Sequence, residues 1–188
     1  MSEKRELAKL VRRVQAGDVE AYGRIYDQFH DSVYSYVLHQ VGAPADAEDI
    51  THGVFLDVLE KIDGFRWRGA GFSAWLFRIA RNDVLDHFRR QGRMMRETAI
   101  TEEVMDQPSR ERVDLAAEAA SDERELLAAI GRLSEEQRQV VLLKLVVNLS
   151  NRQIGEVLSK SEGAVKALQH RALAALRKMF EDKGMASD

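Results

Sequence analysis

The chain is expected to be all-α, two small helical domains joined by an acidic flexible linker, and three observations carry that expectation. Only two prolines, Pro44 and Pro108, interrupt its 188 residues. Elsewhere apolar residues recur at three and four, the period of an amphipathic helix, and helices are the only regular structure the pattern supports. From Glu97 to Glu125 that period dissolves, and ten Asp/Glu stand against three Arg, a net charge of −7. Such a composition suits a linker better than a packed core.

Each element follows from its own pattern. Leu7, Leu10, Val11 and Val14 mark a first helix. After Gly17-Asp18 a second carries Tyr22, Ile25, Tyr26, Phe29, Val33, Tyr36 and Val37. A break at Gly42-Ala43-Pro44 precedes a third, with Asp46 as its expected N-cap and Ile50, Val54, Val58 and Ile62 on one face. A fourth, from about Ser73 to Arg90, buries Phe72, Trp75, Leu76 and Ile79. Beyond the linker the pattern returns at Leu126, Leu127, Ile130 and Leu133. The run Val140 to Val147 is apolar on nearly every side and is expected to form the central helix of the second domain. The domains are therefore read as 1–96 and 122–183, with the linker at 97–121.

Ser150 with Gln153 three residues on makes a capping box, opening a helix whose inner face is Ile154, Val157 and Leu158. Ser161 then caps a second helix with Val165, Leu168, Ala172 and Leu176 inward, leaving Glu162, Lys166, Gln169, His170 and Arg177 more exposed. A short helix, a tight turn and a helix with a basic outer face fit a helix-turn-helix that reads duplex DNA. A plain helical hairpin with a solvated charged face fits the segment too. The glycine usual at such a turn is missing, although Gly163 stands just inside the second helix.

Charge is sorted along the chain, which as a whole carries only −3. From Arg66 to Arg96, eight Arg oppose two Asp, a net of +6; from Arg152 to Lys178 the net is +4; from Asp46 to Asp63 it is −5. Two basic surfaces point to two nucleic-acid contacts, and the acidic one to a third partner. In "FRWRGAGFSAWLFRIARNDVLDHFRRQGR" arginines and aromatics interleave, as where unstacked bases meet aromatic faces. Arg78, Asn82 and Arg89 share one side of that helix, so Asn82 can hydrogen-bond an exposed base edge. Trp75 is expected in the core. For Trp67, core burial and base stacking fit equally.

Taken in order, these segments resemble the extracytoplasmic-function (ECF) class of bacterial sigma factors, group 4 of the sigma-70 family, small promoter-recognition subunits of RNA polymerase. "DAEDITHGVFLDV" is similar to the class's polymerase-binding segment and "FSAWLFRIARNDVLDHFRR" to its minus-ten segment. "LSEEQRQVVLLKLVVNLSNRQIGEVLSKSEGAVKALQHRALAALRK" is similar to its minus-thirty-five domain, and the likeness spans most of residues 20 to 180. The resemblance implies that Asp46, Glu48, Asp49, His52 and Phe55 dock on the clamp coiled coil of core RNA polymerase. It implies a minus-ten surface of Arg68, Phe72, Arg78, Asn82, Arg89 and Arg90, with Asn82 and the loop Arg68 to Phe72 around a flipped base. It places Arg152, Lys166, His170 and Arg171 at the minus-thirty-five element. His52 stands where the family usually has glutamine, Gly53 sits inside a helix, and Ala164, Leu168 and Gln169 replace the usual threonine, arginine and leucine.

The resemblance implies as partners core RNA polymerase, promoter DNA both duplex and single-stranded, and an anti-sigma factor, with no cofactor and no catalytic residue. The alternative is a helix-turn-helix regulator that acts without being a polymerase subunit, for which a second basic, aromatic-rich surface is redundant. An enzyme using Asp46, Glu48, Asp49 and His52 lacks a phosphate loop, a metal-ligand pattern and a nucleophile with its base. No cysteine is present, and the longest apolar run, interrupted by Lys144, is too short to span a bilayer. A cytoplasmic protein without direct membrane contact is expected.

Overall fold

The computed structural model describes residues 2–67, 69–99 and 121–184, with side chains described at 4–67, 69–92 and 125–182. Among these residues the chain forms α1 (Ser2–Gln15), α2 (Val19–Val41), α3 (Pro44–Lys61), a 3-10 turn (Ile62–Gly64), α4 (Phe72–Ala99), α5 (Ser121–Gly131), α6 (Glu135–Leu145), α7 (Asn151–Leu158) and α8 (Glu162–Gly184). The all-α expectation holds. Most of the linker expected at 97–121 lies outside the described residues.

The described chain falls into two units, residues up to 66 with those from 79 onward in α4, and residues 67–78 with α5 to α8. In the first, α2 packs against both α1 and α3. Its Ala21, Ile25, Val33, Tyr36 and Val37 are wholly buried, and Leu7, Leu10, Val11 and Val14 of α1 are buried as their spacing predicts. Asp18 caps α2 by accepting from the Ala21 N–H at 2.9 Å and from Arg13 Nε at 2.7 Å. Its carboxyl is held below the usual range, chiefly by that backbone donor and then by Arg13. The Tyr22 hydroxyl donates to the Phe55 carbonyl oxygen at 2.7 Å, tying α2 to α3.

Helix α3 starts earlier than expected. Ala43 is its N-cap, without a side-chain bond, and Pro44 opens the helix. Proline fits there because its fixed φ is already helical and its missing N–H is one that no helix satisfies. Asp46, expected as the cap, sits in the first turn instead, where the helix dipole favours a carboxylate.

In the second unit α8 packs on α5, α6 and α7. Ser134 and Gln137 form a capping box at the start of α6. The apolar run beginning at Val140 is buried only as far as Leu143; the helix ends at Leu145, which is exposed, and Val146 and Val147 are half-buried beyond it. Among the described residues no helix is long and apolar enough to cross a membrane.

Gly53 lies inside α3, and nothing within 4 Å opposes a Cβ there. A glycine inside a helix costs roughly 1 kcal/mol relative to alanine. Gly53→Ala is therefore expected to raise stability by about that amount, read as a higher urea midpoint with an unchanged slope.

Candidate nucleic-acid interface

The geometry of α7 and α8 answers how a helix-turn-helix closes without the expected glycine at its turn. The capping box forms as read: the Ser150 N–H donates to Gln153 Oε1 at 2.9 Å, and the Gln153 N–H donates to Ser150 Oγ at 3.3 Å. Ser159 ends α7 in the left-handed conformation, φ 55°, doing the work usually given to glycine. The Lys160 N–H then donates to the Gly155 carbonyl oxygen at 2.8 Å. This return brings the Lys160 carbonyl oxygen to 2.6 Å from where a Cβ on residue 155 would stand. The glycine the turn needs is thus inside α7, four residues before the left-handed corner. Ser161 Oγ accepts from the Ala164 N–H at 3.2 Å, capping α8 as expected. Lys160 Nζ donates to Glu136 Oε1 at 2.6 Å, fixing the turn to the start of α6.

Val165, Leu168, Ala172 and Leu176 are buried, so α8 presents Gly163, Lys166, Ala167, His170 and Arg171 to solvent. Arg152, the second residue of α7, is exposed as well. Lys166 pairs with Glu162 one turn earlier at 3.3 Å. Gln169, expected on the exposed face, is half-buried and donates from Nε2 to Asn151 Oδ1 at 2.9 Å. It braces α8 against α7. The outer face combines cations, a chemistry that suits phosphates, with small residues that allow close approach.

Of the predicted single-strand surface, Arg68 lies outside the described residues. Arg78, Asn82, Arg89 and Arg90 are exposed, with Arg89 donating to Asp86 at 2.8 Å. Trp67 is 46% exposed, whereas Trp75 is half-buried with its ring 5.4 Å from that of Phe72. Phe72 is buried at 1% exposure as the first residue of α4, as its spacing predicts, although the resemblance also sets it in a base-embracing loop. It falls on the apolar stripe that continues through Leu76 and Ile79, so packing claims the ring.

The acidic surface divides in two. Asp46 and Asp49 line a groove with Asp57 of α3 and with Asp83, Asp86, His87 and Arg90 of α4. His87 Nε2 lies 3.5 Å from Asp46. Glu48 and His52 are exposed, and Leu56 and Leu59, at 63% and 49% exposure, extend the His52 face by four and seven residues. Those two leucines were missed from sequence, although their offset from the Val54 and Val58 stripe was legible. Phe55, expected to dock, is buried at 2% exposure with its ring 4.5 Å from that of Tyr26. Its apolar ring completes the α2–α3 core, so only the acids and His52 of the expected set face water. Among the described residues no three His, Cys, Asp or Glu side chains are grouped to hold a metal ion.

Comparison with known proteins follows the same division. The family model described as Sigma-70 region 2 matches residues 25–94, and that described as Sigma-70, region 4 matches residues 123–176. The chain is 40% identical over 183 residues to the ECF RNA polymerase sigma factor BldN of Streptomyces coelicolor, covering 96% of this chain and 68% of that protein. It is 30% identical over 165 residues to the ECF RNA polymerase sigma factor SigX of Bacillus subtilis, covering 86% of this chain and 84% of that one. Among solved structures, CnrH in complex with the cytosolic domain of CnrY matches with a TM-score of 0.68 at 23% identity, over 92% of this chain and 96% of that one. The sigma factor RpoE in complex with the anti-sigma factor NepR, from Bartonella quintana, matches with a TM-score of 0.68 at 20% identity, over 85% and 96% of the two chains. At these identities the structural likeness speaks for the fold.

Two outcomes follow from the site geometry. Gly155→Ala is expected to destabilise the second unit by about 1–3 kcal/mol, because the Lys160 carbonyl must move, whereas Ser159→Gly is expected to stabilise it by about 1 kcal/mol by relieving a left-handed residue. Chemical denaturation of both variants checks the pair. In the acidic groove, burial and then Asp57 push the Asp83 carboxyl up from 3.8 to about 6. The unfolded chain ionises first as pH rises, so unfolding releases a proton and stability falls between about pH 4 and 6. Lys61 and Arg90 oppose the shift, and Asp86 adds to it. Asp83→Asn is expected to flatten that fall and raise the melting temperature at pH 7, measured as melting temperature against pH.

Proposed function

Because the chain belongs to the ECF RNA polymerase sigma factors of the sigma-70 family, we propose that it binds core RNA polymerase, directs it to a promoter and melts the minus-ten element, as a member of group 4. Residues 1–96 dock on polymerase and take the minus-ten element, 97–121 connect, and 122–183 take the minus-thirty-five element. The observation that carries this reading is the presence, in one chain, of a basic helix-turn-helix and a separate helix α3 whose acids remain in water beside two exposed leucines. Acids left in water beside apolar side chains suit a protein interface with a basic partner.

On this reading Asp46, Glu48, Asp49 and His52 meet the clamp of core polymerase, with Leu56 and Leu59 as apolar anchors, and Phe55 holds α3 in place from the core. Asn82 lines the pocket for an extruded base, while Arg78, Arg89 and Arg90 hold phosphates and Phe72 fixes the start of α4. Melting then needs no covalent chemistry, since binding the single strand offsets the few kcal/mol of unstacking. Lys166, His170, Arg171 and Arg152 contact the duplex, where cations bond phosphates and guanine edges. RpoE of Bartonella quintana is in complex with an anti-sigma factor, and an anti-sigma partner, with any membrane tether on its side, is proposed here. The protein acts in the cytoplasm.

Three variants separate the steps. Asp49→Arg is expected to abolish pull-down of core polymerase while the circular dichroism stays helical. Lys166→Ala with Arg171→Ala is expected to weaken duplex promoter binding by holoenzyme. Asn82→Ala is expected to leave that binding intact and slow strand opening tenfold or more, since one lost hydrogen bond in such a pocket costs on the order of 1–3 kcal/mol. Permanganate reactivity of unpaired thymines, beside gel shift on one promoter, reads the two steps apart. Tight promoter binding and regulation by the isolated chain, with no polymerase association, would replace this reading with the plain regulator.

A further inference from the structure

Gln169 and Asn151 meet where burial does not require it. Gln169 Nε2 donates to Asn151 Oδ1 at 2.9 Å, wholly within the second unit, yet both side chains are only half-buried. Water can reach each amide, so neither needs the other to satisfy its hydrogen bonds. The contact between the two helices is otherwise apolar, with Ile154 and Val157 of α7 buried alongside Val165, Leu168 and Ala172 of α8. Apolar contacts are non-directional and fix the roll of one helix against another less sharply than a directional bond does.

Both ends of the bond are themselves held. Asn151 is the first residue of α7, directly after Ser150, whose box with Gln153 fixes the start of that helix. Arg152 follows it, while Gln169 stands three residues after Lys166, one before His170 and two before Arg171. One bond thus joins the backbone that carries Arg152 to the turns of α8 that carry the other three duplex contacts. The start of α8 is fixed separately, by the Ser161 cap and by Lys160 on Glu136. Gln169 lies eight residues beyond Ser161, about 12 Å along the axis at 1.5 Å per residue. Two attachments that far apart set both the direction and the roll of the segment between them.

We propose that Asn151 and Gln169 are positioning residues for minus-thirty-five recognition: their bond sets the roll of α8 against Arg152, and with it the discrimination between matched and mismatched base pairs. The inference rests on the sigma-factor reading above. Side-chain tips ride about 5–6 Å from a helix axis, so a roll of about 10° carries them about 1 Å. A bond to a base edge does not survive that shift, because its length must stay between about 2.7 and 3.2 Å. Phosphate contacts survive it, because attraction between charges falls slowly with distance. Loss of the brace therefore costs specificity before it costs affinity.

The test uses the full chain assembled with core polymerase, on a duplex promoter selected by the wild-type holoenzyme from random DNA and on the same duplex with single base-pair changes across the minus-thirty-five element. Gln169→Leu keeps a side chain of similar volume that cannot bond Asn151. It should lower the ratio of matched to mismatched affinity about fivefold or more, and leave the slope of log affinity against log salt unchanged, since no cation is lost. Asn151→Ala should do the same, and N151A/Q169L should lose no more than either single change, because one bond is at stake. The exchange N151Q/Q169N keeps both amides and the summed length of the two side chains, and should restore most of the ratio. Circular dichroism and the urea midpoint are read beside each variant; if Q169L does not fold, N151A and the exchange carry the test. An unchanged ratio overturns the proposal, and so does a fall of matched and mismatched affinity by one common factor, the mark of a helix that has merely loosened. Losses that add in the double variant overturn it as well. If the wild-type holoenzyme selects no duplex sequence, the sigma-factor reading falls; if it selects one and the variants discriminate as well as wild type, the brace alone is wrong.

Discussion

Helix α2 sets the terms for the whole first unit. It is buried along Ala21, Ile25, Phe29, Val33, Tyr36 and Val37, and its neighbours α1 and α3 must each turn an apolar stripe towards it. Each large apolar side chain among these removed from water contributes about 1.5–3 kcal/mol, more than the exposed ion pairs on these helices. The charges of α1 and α3 are consequently placed by exclusion. Whatever is not apolar goes to the far side, which is how the exposed basic residues of α1 and the acidic face of α3 arise on helices sharing one support. The Tyr22 bond to the Phe55 carbonyl and the Gln15 bonds to Ile62 and Phe65 then fix α3 and the loop after it against that support.

The second unit is organised by a backbone approach. Helices α7 and α8 can meet closely only because residue 155 has no side chain and residue 159 accepts a left-handed backbone, and these two requirements lie four residues apart. With the turn fixed, the inward residues Ile154, Val157, Val165 and Leu168 determine which side of α8 remains outside. The Gln169 to Asn151 bond and the Lys160 to Glu136 bond add polar braces to an otherwise apolar junction. Fine positioning of the outer face thus comes from groups that do not lie on it.

Much of this was legible in the sequence, and the boundary is physical. Periodicity located the helices because burial imposes it, and the Ser150 and Gln153 box and the Ser161 cap were readable because such bonds are local in sequence. Periodicity says less about which apolar residue is spare. Phe55 was expected at a docking surface and is core, while Leu56 and Leu59 are exposed, since a shift of one residue moves a side chain by 100° around a helix. The start of α3 was misplaced because proline competes with aspartate for the opening of a helix. Gly155 went unremarked because the atom it accommodates, the Lys160 carbonyl oxygen, is brought there by the turn. The same limit hid the bracing role of Gln169.

The ion pair between Lys166 and Glu162 gives the outward face of α8 a built-in competitor. On the reading proposed above, a phosphate approaching Lys166 meets a carboxylate one turn away, in an exposed pair that costs little to part, and that carboxylate then stands near the polyanion. Self-screening of this kind lowers the intrinsic hold of the helix on any duplex and matters least when a second attachment keeps the helix close. For a module delivered to DNA by a larger assembly, local concentration can exceed what the module achieves alone by orders of magnitude. A weak reader is then an advantage: it rests on wrong sequences only briefly, and it detaches readily once its carrier moves on.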